Sequence, residues 1–146
     1  MAKTSESIHV ALSPDDTFAC VADLSRYSEW LVLHDGWRSP LPPADDLKKG
    51  TKISSVIVAK GIRVRFAWEI EKFDRPKQVM LKGNGKGGVK AKLDLVITPI
   101  GDDSKITFNV DLGGLPLIGP AGKAAIAAVK GDIAKSLVKF NEIYGQ

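Results

Sequence analysis

Apolar residues recur along this chain with two different periods. Near its end Ile126, Val129, Ile133, Leu137, Phe140 and Tyr144 follow one another at steps of three and four, one stripe of an α-helix. Pro120 suits the first helical position, and the pattern runs unbroken to Gly145, so a helix is predicted over 120–144. At 1.5 Å per residue it spans about 35–40 Å, the width of a small domain. Its two halves differ in bulk. The second half turns Ile133, Leu137, Phe140 and Tyr144 inward. The first offers Gly122, Ile126 and Val129, with Lys123 and Lys130 at the edge. A buried face that slim predicts a hollow beneath it.

Upstream the period is two. Residues 1–7 are polar and are expected to be frayed. Ile8, Val10 and Leu12 alternate with His9 and Ala11 as a half-buried strand. Ser13-Pro14-Asp15-Asp16 resembles a capping box and opens a helix whose apolar face is Phe18, Val21 and Leu24. A second short helix carries Tyr27, Trp30 and Leu31, and residues 34–49, with Trp37, read as loop or edge strand. From Gly50 the strands follow in quick succession: 51–60, Ile62 to Ile70, 78–82, Val89 to Ile97 and Ile106 to Leu112, with a polar turn at 74–77 and another at 101–103. Short polar turns imply antiparallel neighbours with one wet face. The chain therefore predicts a single α+β domain over 1–146: a curved antiparallel sheet of about seven strands wrapped around a long C-terminal helix, with two short helices after strand 1.

Composition narrows the functions open to such a domain. The chain has 146 residues, 44% of them hydrophobic and 26% charged, with a net charge of +4 and a pI near 9.2. One cysteine, Cys20, leaves no intramolecular disulfide and no multi-Cys metal site, and reads as an inert thiol near the core. No secretory pattern opens the chain, and no run of 18 apolar residues occurs, so a cytoplasmic protein without integral membrane association is expected. Lys60, Arg63, Arg65, Lys82, Lys86, Lys90 and Lys92 fall on the outer sheet face or its loops. Glu69, Glu71 and Asp94 interrupt them and no aromatic groups interleave, so a solvated face is expected and nucleic acid is not. Gly83-Asn84-Gly85-Lys86-Gly87-Gly88 has the G-x-G-x-x-G spacing, but an alternating strand follows where a dinucleotide site needs a helix, so a flexible hairpin is expected. Gly131 falls on the solvent side of the last helix, where it costs ~1 kcal/mol relative to Ala.

The strand residues predicted to face inward are Ile62, Val64, Phe66, Trp68, Ile70, Val79, Leu81, Leu93, Leu95, Ile106, Phe108 and Val110, and none of them titrates. An apolar hollow with polar groups at its rim suits a small hydrophobic molecule. Its predicted ligand-binding residues are Tyr27, Trp30, His34 and Trp37 from the short helices and the stretch after them. Val64, Phe66, Trp68, Leu81, Leu95, Phe108 and Val110 join from the strands, and Ile126, Val129 and Lys130 from the last helix. Proton-transfer chemistry would have to come from the flanks, from His34, Asp35, Tyr27, Lys123, Lys130 or Tyr144. His34 and Asp35 are sequence neighbours and in extended chain point opposite ways, so they do not read as a dyad. No catalytic residue, metal or cofactor is assigned. An enzyme working through His34 or Tyr27, and a filled core that binds nothing, stand as alternatives.

With the stretch from Ala22 to Trp30 (Ala-Asp-Leu-Ser-Arg-Tyr-Ser-Glu-Trp) after the first strand and Gly119-Pro120 before the last helix, the chain resembles the polyketide cyclase/dehydrase and lipid-transport superfamily. This START-related (SRPBCC) group has the helix-grip fold also seen in the birch-pollen allergen, and the likeness covers nearly the whole chain. Residues 23–30, Trp37-Arg38-Ser39, 83–92, 111–114 and Gly131-Asp132-Ile133 carry a narrower likeness, to an actinobacterial group that includes a mycobacterial toxin of a toxin–antitoxin pair. The resemblance implies a lipid- or polyketide-like ligand between sheet and helix. It implies two alternatives: a toxin with an antitoxin-like protein partner, or a cyclase/aromatase. Cyclase relatives place polar groups, often an arginine, inside the cavity, whereas strand alternation turns Arg63 and Arg65 outward.

Overall fold

The computed structural model describes residues 2–59 and 61–145. Lys60, grouped above with the basic outer face, lies outside the described residues. The elements in chain order are β1 (Ala2–Val10), α1 (Pro14–Val21), α2 (Tyr27–Trp30), β2 (His34–Trp37), β3 (Lys52–Ala59), β4 (Ile62–Asp74), β5 (Gln78–Gly85), β6 (Lys90–Ile100), β7 (Asp103–Gly113) and α3 (Pro120–Tyr144), with single 3-10 turns at Leu24–Arg26, Ala44–Asp46 and Leu115–Leu117. The strands form one seven-stranded sheet in the order β1-β7-β6-β5-β4-β3-β2, every neighbouring pair antiparallel. This is the helix-grip architecture: a curved sheet closes around α3, and α1 and α2 follow the first strand.

The N-terminus departs from expectation. Residues 2–7 belong to β1, which pairs along β7 from Ala2↔Leu112 to Val10↔Ser104. An edge strand needs a backbone ladder more than an apolar face, and polar cross-strand contacts support this one. Ser5 Oγ donates to Asn109 Oδ1 at 2.7 Å, Ser7 and Thr107 share a 3.1 Å hydroxyl pair, and Glu6 takes the ammonium of Lys130 at 2.6 Å.

The glycine-rich stretch departs too, because Gly83 and Gly85 are strand residues of β5 rather than part of a loop. They pair across the ladder with Trp68 and Phe66. Those two rings lie stacked on the sheet, centroids 4.9 Å apart and 18° from parallel, and a Cβ on either glycine would run into them. The glycines give the rings their floor.

The core lies between the sheet and the second half of α3. Ile133, Leu137 and Phe140 are buried there with Phe18, Tyr27, Trp30, Ile70, Ile106 and Phe108. Ser13 caps α1 by accepting the Asp16 N–H at 3.1 Å, as its box pattern requires. Ser136 tethers the α2–β2 connection: its Oγ accepts the Val32 N–H at 2.9 Å. Gly131 faces open space, and no contact accounts for a glycine there.

Candidate functional site

Where α3 is slim, the sheet does not close onto it. An apolar cleft of about 260 Å³ opens there. One wall is the β3–β4 hairpin end, with Ile57 and Ala59 facing Val64 and Ile62 across the ladder. Phe66 forms the inner end, while Val89, Leu112 and Leu117 close the side from the β5–β6 turn, the end of β7 and the turn before α3. Ala125, Ala128 and Val129 form the helix side. All eleven lining residues are aliphatic or phenyl, and none carries a proton to transfer. Gly122 helps set this shape, because a Cβ there would strike the Leu117 carbonyl that folds back over the helix start.

Deeper in, a second hollow of only about 10 Å³ lies among Tyr27, Leu31, His34, Trp37, Ser55, Trp68, Leu81 and Leu93, room for roughly one water. Ile57 borders both spaces. The stacked Phe66–Trp68 pair extends from one to the other, Phe66 facing the cleft and Trp68 the inner hollow.

The Tyr27, Trp37 and Trp68 donors around the inner hollow are already engaged, whereas the His34 ring makes no hydrogen bond among the described residues. The Tyr27 hydroxyl donates to the Val21 carbonyl at 2.7 Å, and burial pushes its pKa far up. Trp37 Nε1–H donates to the Leu24 carbonyl at 2.7 Å and Trp68 Nε1–H to Ser55 Oγ at 2.8 Å. His34 is 8% exposed, with its ring 4.7 Å from that of Trp37 and 6.3 Å from that of Tyr27. Burial lowers its pKa to about 4; the nearby Arg38 charge adds to this and Asp35 opposes it. The imidazole is therefore neutral near pH 7. Asp35 turns away from it, to Arg63 Nε at 3.1 Å and Arg38 at 3.6 Å, so the two make no dyad.

The residues picked out from the sequence separate into distinct places. Val64, Phe66 and Val129 stand around the cleft. Tyr27, His34, Trp37, Trp68 and Leu81 surround the inner hollow. Trp30 is fully buried, edge-on to Phe140 at 5.1 Å, and Leu95, Phe108 and Val110 are buried in the core. Ile126 is half-buried against that core, and Lys130 points out to Glu6. Ile62 corrects the inward set: it sits at the hairpin tip, 66% exposed, where it borders the cleft from outside. Tyr144 lies at the far end of α3 under the Arg26 guanidinium, and burial raises its pKa. Burial likewise raises the pKa of the Cys20 thiol.

Sequence reasoning passed over Ile57, Ala59, Val89, Leu112, Leu117, Ala125 and Ala128. For the alanines the signal was present, because a helix stripe too slim to fill its groove is lined by its small residues. Leu117 belongs to the 113–119 loop leading into α3, which the slim end of the helix places beside the hollow.

A wider depression of about 570 Å³ lies elsewhere, bordered by Lys3, Ser5, Lys92, Asp94, Asn109 and Asp111. Met80 and Val110 supply apolar floor to it, and several of its polar groups pair with one another, Ser5 Oγ donating to Asn109 Oδ1 at 2.7 Å and Lys3 Nζ lying 3.9 Å from Asp111. Among the described residues no group of three or more His, Cys, Asp or Glu could hold a metal ion. No helix of the described residues is long and apolar enough to cross a membrane.

Comparison with known proteins places this geometry. Residues 1–144 match the family described as polyketide cyclase / dehydrase and lipid transport. An uncharacterized protein of Mycobacterium tuberculosis is 46% identical over 99% of this chain and 100% of its own length. A second protein of that organism, named a toxin, is 42% identical over 99% of both chains. Among solved structures, a START superfamily protein from Mycobacterium smegmatis superposes with a TM-score of 0.77 at 20% identity, covering 96% of this chain and 97% of that one. A major latex-like protein of Panax ginseng gives 0.73 at 11% identity, covering 98% and 97%. At such identities these two share the fold.

Proposed function

The chain belongs to the polyketide cyclase/dehydrase and lipid-transport family, and from that premise we propose that it binds a small hydrophobic molecule, lipid- or polyketide-like, in the cleft between the sheet and α3. One observation carries the reading: all eleven side chains lining an open cleft are apolar. Each methylene taken from water into such a lining contributes about 0.8 kcal/mol. The volume of about 260 Å³ lies just under the roughly 300–1,000 Å³ of ordinary small-molecule sites. A single acyl chain or one to two rings is therefore the scale of the guest. The role is carriage or sensing rather than catalysis: the lining offers no general acid or base, Tyr27 is tied to a backbone carbonyl, and Arg63 and Arg65 lie exposed.

Protein purified from its source is expected to release a hydrophobic molecule on solvent extraction, detectable by mass spectrometry. The stripped protein should then take up a fluorescent fatty-acid analogue saturably, one per chain. An empty extract together with no saturable uptake would overturn the reading.

The toxin-named relative supports a second reading, in which the chain is the toxin of a toxin–antitoxin pair and acts through a protein partner. Induced expression should then arrest growth, and co-expression of the neighbouring small gene should relieve it. Unimpaired growth would count against this reading.

A further inference from the structure

The mouth of the cleft is the most unusual part of the surface. The three most exposed large hydrophobic side chains among the described residues are Leu115 at 83%, Ile118 at 67% and Ile62 at 66%. All three stand at this one end. Ile62 is at the tip of the β3–β4 hairpin and borders the cleft; Leu115 and Ile118 flank Leu117 on the segment that closes its side.

Charge is sorted the same way. The described segments that build this end, residues 56–59, 61–68, 85–93 and 112–129, hold six of the chain's 21 cations and none of its 17 carboxylates. The remainder of the chain is left with a net charge of −2 although the whole carries +4. Arg63 is answered by Asp35 from β2. Arg65, Lys86, Lys90 and Lys123 have no carboxylate within 4.0 Å among the described residues. The backbone brings them together: Lys86 N–H donates to the Arg65 carbonyl at 2.9 Å, Lys90 pairs with Gly113, and Lys123 borders a depression with Leu117 and Ile118.

From this juxtaposition we infer that the cleft mouth is a docking surface for an anionic lipid bilayer, with Leu115, Ile118 and Ile62 entering the interface and Arg65, Lys86, Lys90 and Lys123 meeting the headgroups. Apolar tips ringed by cations are the form that interfacial membrane binding takes, and each cation adds attraction to an anionic leaflet. A phosphate backbone would find the same cations but has no use for protruding aliphatic side chains. An acidic protein groove would match the charge. Yet the aliphatic tips project from two separate loops beside the cleft, Ile62 at its lip and Leu115 and Ile118 on either side of the lining Leu117, so a bilayer also gives an apolar guest a path that never crosses water. The inference rests on the cleft as the binding site, and its test separates the two.

The experiment is co-sedimentation with vesicles of pure phosphatidylcholine and with vesicles containing 30% phosphatidylglycerol, alongside fatty-acid-analogue uptake by the same samples. The protein is expected to partition at least tenfold more strongly onto the anionic vesicles, and 0.5 M NaCl is expected to weaken that preference. L115S/I118S and K86E/K123E should each lose at least tenfold in partitioning while still taking up the analogue, since none of these four residues lines the cleft. Equal binding to both vesicles, no binding to either, or unaltered variants would overturn docking. So would a concentration-dependent dimer abolished by L115S/I118S, which would give the surface to a second copy. Vesicle binding with no analogue uptake would leave docking standing and remove the cleft reading; uptake without vesicle binding would do the reverse.

Discussion

Replacing Ala128 by tryptophan is expected to abolish uptake of the apolar guest while the fold survives. Ala128 lies on the slim half of α3, half-buried, with its methyl group on the cleft. An indole there finds unoccupied apolar space, so the overpacking cost of a filled core does not apply. A buried tryptophan covers about 150–250 Å², a large share of what the guest would otherwise cover. The variant carries its own occupant. Its affinity for a fatty-acid analogue should fall at least 100-fold, about 2.7 kcal/mol, with its melting temperature unchanged or raised by a few degrees. Lys139→Trp, on an exposed position of the same helix, should bind as the parent does. Parent-like affinity in Ala128→Trp would show that the guest sits elsewhere, and would sink the reading that places it between sheet and helix.

The choice of Ala128 shows what the sequence made legible. Periodicity was enough to place α3, the succession of elements along the chain and the thin half of the helix, because each depends on neighbours within one element or one hairpin. It was enough to exclude a His34–Asp35 dyad as well, since alternation along an extended stretch is local. What escaped depends on distant partners. The polar run at 2–7 is a strand only because β7 offers its edge, and Glu6 a partner only because Lys130 arrives from α3. The glycines of β5 read as a loop until Trp68 and Phe66 are seen lying across them. Those same rings divide the interior. One stretch of apparently uniform apolar strand therefore yields a cleft on one side, a hollow of roughly one water on the other, and a solid core beyond. Alternation tells which side chains turn inward. It does not tell which of them find nothing to pack against.

His34 should make the fold acid-labile, with a sign set by its depressed pKa. In the unfolded chain an imidazole takes up a proton near pH 6.5; buried here against Trp37 and Tyr27 it waits until about pH 4. Between those values the unfolded state binds a proton that the folded state refuses, so stability falls as pH falls. The contribution is complete above about pH 6.5 and is lost progressively toward pH 4. The loss reaches up to about 3 kcal/mol, because each pH unit separating the two titrations is worth about 1.4 kcal/mol. Carboxylates titrate over the lower part of this window, so the measurement is a difference. Guanidinium unfolding of the parent and of His34→Gln is compared at pH 7 and pH 4.5. The parent should lose about 2–3 kcal/mol more than the variant. The His34 imidazole resonances, assigned by their loss in His34→Gln, should hold their neutral positions down to about pH 5 in a proton NMR titration. Parallel losses, or a His34 imidazole that titrates near 6.5, would place His34 in bulk water and undo its burial in the inner hollow. Because Ile57 borders both that chamber and the cleft, acid would then be expected to loosen the wall they share. A guest held at neutral pH should accordingly be released more readily near pH 4.5 by the parent than by His34→Gln.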